Sequence, residues 1–247
     1  MNILSAVVLG IVQGLTEFLP VSSSGHLVIF QKLIPGFSQP GILFDVILHF
    51  GTLAAVFYFF RKKIISLSRK YVLFLVIGTV PAVIAGVLFR KQFELMFSNP
   101  RFLGYELLVT GLLNFLVDLP VKKKVNLNIK NSLLIGVAQG VAIIPGISRS
   151  GATIFTGVRL GIDRQKIAEY SFILSIPAIL GANLLEIISY GSNGIGGSLL
   201  YYIVGFIVSF IVGIASIDIV MKLLMKNKFK IFGYYTVLVG LLVIFFL

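Results

Sequence analysis

Long apolar stretches, separated by short polar and basic segments, fill most of the chain. About 20 mainly apolar residues, rising about 1.5 Å each as a helix, cross the hydrocarbon of a bilayer. Six stretches have that length: Ile42–Phe60, Tyr71–Phe89, Phe102–Leu119, Ala168–Ser189, Leu199–Leu223 and Ile231–Leu247. Two regions break the pattern. Ile3–Leu19 runs into Pro20-Val-Ser-Ser-Ser-Gly-His26 and then a short apolar run to Leu33, and Ser132–Ile144 runs into Pro145-Gly-Ile-Ser-Arg-Ser-Gly151 and a run to Leu160. Each second limb has about ten residues, or about 15 Å of helix, which crosses only half the hydrocarbon. The pattern therefore predicts two re-entrant helical hairpins whose irregular tips are buried in protein or line a wet cavity. The expected fold class is an all-α polytopic membrane protein with six transmembrane helices and two re-entrant hairpins, in a single domain of residues 1–247.

The same segments repeat. At an offset of 126, Gly10, Gln13, Gly14, Ser22, Ser24 and Gly25 match Gly136, Gln139, Gly140, Ser148, Ser150 and Gly151, and Ile47-Leu48 matches Ile173-Leu174. Near the ends the offset becomes 129: Gly104-Tyr105 and Gly111-Leu112-Leu113 match Gly233-Tyr234 and Gly240-Leu241-Leu242. Halves 1–121 and 122–247 each hold one hairpin and three spans. An odd number of spans puts the halves in opposite orientations, the inverted-topology repeat that binds ligands near the midplane.

Composition and charge sharpen this picture. Of 247 residues, 57% are hydrophobic and 12% charged, too apolar a mix for a water-facing surface. The net charge of +12 is spread between the apolar segments rather than gathered on one face, so it argues for anionic lipid and against nucleic acid. With the first hairpin entering from outside, Arg61, Lys62, Lys63, Arg69, Lys70, Lys122, Lys123, Lys124, Lys130, Arg164, Lys166, Lys222, Lys226, Lys228 and Lys230 fall inside. Only Lys32, Arg90, Lys91 and Arg101 fall outside, and Tyr190–Ser198 carries no charge. Zero cysteines exclude disulfides and thiolate metal sites. Ile3–Leu19 lacks the basic start and small-residue cleavage site of a removable signal.

The tips carry the chemistry. Ser22, Ser23 and Ser24 are expected to precede a helix starting near His26, and Ser148 and Ser150 one starting near Ala152; Gly25 and Gly151 would permit tight turns. Helix N-termini offer free N–H donors and partial positive charge to phosphate, and Arg149 adds a fixed charge and a fork of donors. Together they make a cradle for a diphosphate. Gln13 and Glu17, four residues apart, share a helix face. A lone carboxylate in an apolar stretch costs about 2.5–3.5 kcal/mol, so Glu17 needs a partner: a cation such as Mg²⁺ or Ca²⁺, Arg149, or His26. His26 can act as base, acid or nucleophile. The competing structural reading makes the serines plain caps and Arg149–Glu17 a plain ion pair. His49, one turn from Asp45, reads as a polar pair near the outer mouth. Asp218, Glu186, Asn183 and Glu106 carry no assigned role.

Gln13-Gly-Leu-Thr-Glu17-Phe-Leu-Pro-Val-Ser-Ser-Ser-Gly25-His26 resembles a signature of the undecaprenyl-diphosphate phosphatase (bacitracin-resistance protein) family, and Pro145-Gly-Ile-Ser148-Arg149-Ser150-Gly151 resembles its second signature. The resemblance spans essentially the whole chain. It implies hydrolysis of undecaprenyl diphosphate to the monophosphate and phosphate, which recycles the lipid carrier of peptidoglycan synthesis and confers bacitracin resistance. It further implies dependence on a divalent cation and a bacterial cell-membrane site open to the outer face. By position, Glu17 would be a metal-binding or catalytic carboxylate, His26 the catalytic histidine, Arg149 the phosphate-binding arginine, and Ser23 above all a phosphate ligand or nucleophile. Gln13 stands where some members carry Glu, which leaves one carboxylate fewer for a metal. The substrate partner would be a polyprenyl diphosphate within the bilayer, and a homodimer is compatible with this reading. The rival is a polyprenyl-phosphate flippase or secondary transporter, because inverted repeats serve alternating access; no filter motif supports a channel.

Overall fold

The computed structural model describes residues 1–35, 37, 43–98, 100–121, 124–190 and 199–247. Ile42, Lys122, Lys123 and the loop up to Ser198, assigned above to span ends and loops, lie outside these or at their edges. The described chain is helical: α1 (Ile3–Thr16), α2 (Ser23–Leu33), α3 (Leu43–Phe59), α4 (Arg61–Ile65), α5 (Arg69–Leu88), α6 (Arg90–Ser98), α7 (Leu103–Val117), α8 (Ile129–Val141), α9 (Arg149–Arg159), α10 (Arg164–Tyr190), α11 (Leu199–Met225) and α12 (Lys230–Phe246). A 3₁₀ turn, Pro100–Phe102, leads into α7. The six stretches expected to span fall on α3, α5, α7, α10, α11 and α12, and the two expected hairpins on α1–α2 and α8–α9; α3, α7 and α12 are shorter than the roughly 20 residues of a full crossing. The short helices α4 and α6 were not foreseen, because neither has an apolar run long enough to stand out.

Three of these helices, Arg69–Leu88, Arg164–Ile188 and Leu199–Met225, are long and apolar enough to cross a membrane. On α5, Val72, Val76, Val80, Val83 and Val87 recur at helical spacing and are all exposed. An apolar stripe of that size is costly in water and suits lipid. The side turned inward carries the core, where Phe18, Phe60 and Phe172 meet Tyr170, Ile217 and Phe232. Phe18 and Phe172 pack edge to face at 5.6 Å.

Glycines set the helix pairing. A Cβ on Gly10 or Gly14 of α1 would lie 2.9 Å or 2.7 Å from the Cβ of Val208 or Val212 on α11. Their repeat partners on α8 do the same against α5: a Cβ on Gly136 would lie 2.5 Å from the Gly78 carbonyl, and one on Gly140 would lie 3.2 Å from that of Pro81. Helices α7 and α12 approach reciprocally, a Cβ on Gly104 meeting the Gly240 carbonyl at 2.6 Å and one on Gly240 meeting the Gly104 carbonyl at 2.8 Å. Without a hydrophobic drive between lipid-solvated helices, such small-residue stripes let backbones close to packing distance. Thus α1 rests on α11, α8 on α5, and α7 on α12, which fixes both hairpins against long helices of the opposite half.

Candidate active site

Each hairpin tip is a capped helix start. Ser22 Oγ accepts the Gly25 N–H and Ser148 Oγ accepts the Gly151 N–H, so α2 begins at Ser23 and α9 at Arg149. Both helices therefore open three residues earlier than the sequence suggested, because the first serine of each tip caps rather than the last. The glycine expectation is also corrected. Gly25 and Gly151 lie inside first turns, and the left-handed residue is Ser22, at φ 71°. Their smallness serves close approach: a Cβ on Gly151 would come within 3.2 Å of Pro20, across the seam between tips.

Serine hydroxyls sew the tips together. Ser22 Oγ and Ser24 Oγ both donate to the Pro145 carbonyl, at 2.5 and 2.6 Å. In the repeat-related position Ser150 Oγ reaches the Leu19 carbonyl at 3.5 Å. A polar row on α7 holds the tips from outside. Glu106 Oε2 accepts the Gly146 N–H at 3.1 Å, Thr110 Oγ1 donates to the Gly146 carbonyl at 2.9 Å and accepts the Ser148 N–H at 3.0 Å, and Asn114 Nδ2 donates to the Pro20 carbonyl at 2.6 Å. Those three residues recur every fourth position, so one helix face presents them all.

At the seam lies Glu17, 8% exposed. Its Oε1 accepts from Arg149 Nη2 at 2.6 Å, and its Oε2 accepts from Ser23 Oγ at 2.7 Å and Gln13 Nε2 at 3.1 Å. Nε2 of His49 lies 3.8 Å from Oε2. Ser23 and Arg149 occupy equivalent repeat positions, so one carboxylate gathers the two tips through matched residues that have diverged in type. Arg149 also donates to the Ser171 carbonyl at 3.3 Å, leaving other guanidinium N–H groups for a ligand.

His26 occupies a separate set of contacts. Nδ1 lies 2.8 Å from the Ser22 carbonyl and Nε2 lies 2.9 Å from the Tyr235 hydroxyl. Of the residues singled out in the sequence, Gln13, Glu17, Ser23 and Arg149 form one cluster. Ser22, Ser24, Gly25, Ser148, Ser150 and Gly151 build its frame, and His26 is one helical turn from Ser23. His49 makes the expected contact with Asp45, through the backbone carbonyl at 2.8 Å, while the approach of its other nitrogen to Glu17 at 3.8 Å was missed. Glu106, Thr110, Asn114 and Tyr235 were missed as well. Glu106, Thr110 and Asn114 carried a legible signal, a polar row at four-residue spacing through an apolar span. Asp218, by contrast, pairs with Lys222 at the surface.

Helices that present apolar faces outward and gather a sealed carboxylate, a serine and an arginine at paired capped tips define a multi-pass membrane protein with a built polar centre. The chain matches the family model described as bacitracin resistance protein BacA over residues 6–242 and belongs to that family. Its relatives include the undecaprenyl-diphosphatase of Halothermothrix orenii, 41% identical over 258 residues, covering 99% of this chain and 98% of the relative. That of Carboxydothermus hydrogenoformans is 39% identical over 254 residues, covering 99% and 97%. That of Methanosphaera stadtmanae is 38% identical over 273 residues, covering 99% and 98%.

Proposed function

We propose that this protein removes the terminal phosphate of undecaprenyl diphosphate at the seam between its two hairpin tips. The observation that carries the reading is the joint hold of Arg149 and Ser23 on Glu17, one from each tip. The diphosphate lies across the first turns of α2 and α9, where helix N-termini and the free guanidinium N–H groups neutralise charge developing on the phosphoryl oxygens. Ser23 Oγ attacks the terminal phosphorus as its proton passes to Glu17 Oε2. The bond from phosphorus to the bridging oxygen breaks, releasing undecaprenyl phosphate. Water then attacks the phosphoserine, giving one proton to His26, which shares a helix face with Ser23; the bond from phosphorus to Ser23 Oγ breaks, and Glu17 returns its proton to Oγ.

A divalent cation, Mg²⁺ or Ca²⁺, fits one edge of this cluster. Gln13 Oε1 is buried without a hydrogen-bond partner and sits beside the Glu17 carboxylate, giving the oxygen donors hard cations prefer. Among the described residues there is no group of three acidic, histidine or cysteine side chains. Gln13 and Glu17 would therefore hold the ion together with substrate phosphates, and it would supply charge neutralisation.

The topology belongs to the same proposal: six spans and two re-entrant hairpins in inverted halves 1–121 and 122–247, in a bacterial cell membrane, open to the outer face. The reciprocal packing of α1 on α11 and α8 on α5 supports the halves, and the distribution of lysine and arginine supports the orientation. The test is purified protein given undecaprenyl diphosphate labelled on its terminal phosphate. Released phosphate and an acid-trapped phosphoserine at Ser23 are expected. Phosphate release with no trapped enzyme would assign the attack to water, and lipid movement across vesicles without release would assign a flippase.

A further inference from the structure

Tyr235, on α12, meets His26 twice. Its hydroxyl lies 2.9 Å from Nε2, and its ring stacks on the imidazole at 5.6 Å with 15° between planes. The partners settle which nitrogen carries the proton. The Ser22 carbonyl, 2.8 Å from Nδ1, can only accept, so Nδ1 is the N–H. A neutral Nε2 is then an acceptor, and the phenol is its donor. A histidine held in one tautomer by one group, with its other nitrogen aimed by another, follows the same orienting logic as a catalytic triad.

The repeat gives a second, independent reason to single out this tyrosine. At the offset of 129 that aligns the two C-terminal spans, Tyr235 is the counterpart of Glu106. Glu106 reaches from α7 to the Gly146 N–H at the tip of the second hairpin. Tyr235 reaches from α12 to His26 in the first hairpin. Each terminal span thus ties down the hairpin of the other half from the same position. One tie ends on backbone, the other on a titratable ring. The rest of the row has also diverged: Thr110 and Asn114 face Val239 and Val243 in the alignment, which leaves Tyr235 as the polar residue of that row on α12. His26 is only 2% exposed, whereas Tyr235 is 43% exposed, so the tyrosine is the outward-facing member of the pair.

We propose that Tyr235 is a positioning residue for hydrolysis: while the Ser22 carbonyl keeps Nδ1 protonated, the phenol holds the ring by its unprotonated Nε2, the nitrogen that takes the proton from water. This rests on the assignment of His26 to the reaction under Proposed function. Tyr235 touches neither the substrate nor the attacking water in this scheme; its contact is with the ring nitrogen that takes the proton. As water approaches, the phenol yields the Nε2 lone pair and keeps the ring aligned by stacking.

The chain has two histidines, so full-length protein labelled with ¹⁵N-histidine gives a spectrum that a His49→Gln variant assigns. Wild-type His26 should show one tautomer with a protonated Nδ1. Tyr235→Phe keeps the ring and removes only the donor. It should leave Nδ1 protonated and held by the Ser22 carbonyl, shift the Nε2 resonance as its hydrogen bond is lost, and lower kcat by about 10- to 100-fold, at or below the lower end of what general acid–base catalysis supplies, with KM changed less than about twofold. Glu106→Gln, at the equivalent position, should leave the His26 signals in place. An unmoved Nε2 resonance in Tyr235→Phe would overturn the proposal, and so would an unchanged kcat. His26→Gln separates the two readings. If it turns over normally, the role of His26 in the reaction fails; if it is inactive while Tyr235→Phe is normal, only the positioning role fails.

Discussion

Arg149 and Glu17, from different hairpins, form an ion pair of 2.6 Å whose side chains are only 15% and 6% exposed. Breaking a buried pair by removing one partner costs about 3–5 kcal/mol, because the survivor is left charged and unpaired. Arg149→Ala should therefore lower the unfolding temperature in detergent, and adding Glu17→Gln should recover most of the loss. Arg149→Lys keeps the charge without the fork of donors. Its phosphate release should fall by at least about 100-fold, the scale seen when one transition-state donor is lost, with thermal stability close to wild type.

The cation reading is tested next door. Gln13→Glu places a second carboxylate 3.1 Å from Glu17 in the position now held by an amide. The Mg²⁺ concentration for half-maximal phosphate release should drop by about tenfold, as expected when a hard cation gains a charged oxygen ligand. Glu17→Gln should raise it, and chelator should silence wild type. An identical Mg²⁺ response in all three proteins would remove both residues from the ion.

Ser22 tests the frame rather than the chemistry. It holds a left-handed backbone, which costs a non-glycine residue about 1–2 kcal/mol, and its hydroxyl caps α2 while bonding Pro145. Ser22→Gly should lose little stability, since glycine relieves the strain and serves as a cap within a few tenths of a kcal/mol. Ser22→Ala keeps the strain without the cap and should cost about 1–2 kcal/mol more in denaturant unfolding.

Helix pairing is tested at Gly136. A Cβ there would sit 2.5 Å from the Gly78 carbonyl, and backbone cannot rotate away as a side chain can. Gly136→Ala should destabilise by about 1–3 kcal/mol, as overpacked interiors do. Gly181→Ala, where nothing lies within 4 Å, is the neutral control.

Much of this was legible in the order of residues. The helices follow from the apolar runs, three of them long and apolar enough to cross a membrane, and the breaks after Thr16 and Val141 from the polar motifs there. The recurrence of Gly10, Gln13 and Gly14 as Gly136, Gln139 and Gly140 points to matched packing faces. The approach of the two tips was an expectation from the repeat, and the cost of a lone carboxylate called for a partner to Glu17 among three candidates, of which Arg149 makes the contact. What escaped has a common physical cause. His49 and Tyr235 reach the site from spans distant in sequence, and a polar residue in an apolar helix does not say which neighbour it faces. The exact helix starts were missed because Ser22, Ser23 and Ser24 are equally good caps by composition, and only Ser22 has the backbone that leaves the helix.

The seam draws on both halves of the sequence. Isoleucine stands at 143 where the first half has Glu17, alanine at 152 where it has His26, and serine at 23 where the second half has Arg149. In this chain the carboxylate and the histidine stand in the first half and the arginine in the second. A chain severed between α7 and α8 should thus yield two fragments that are inert apart and active only when produced in the same cell.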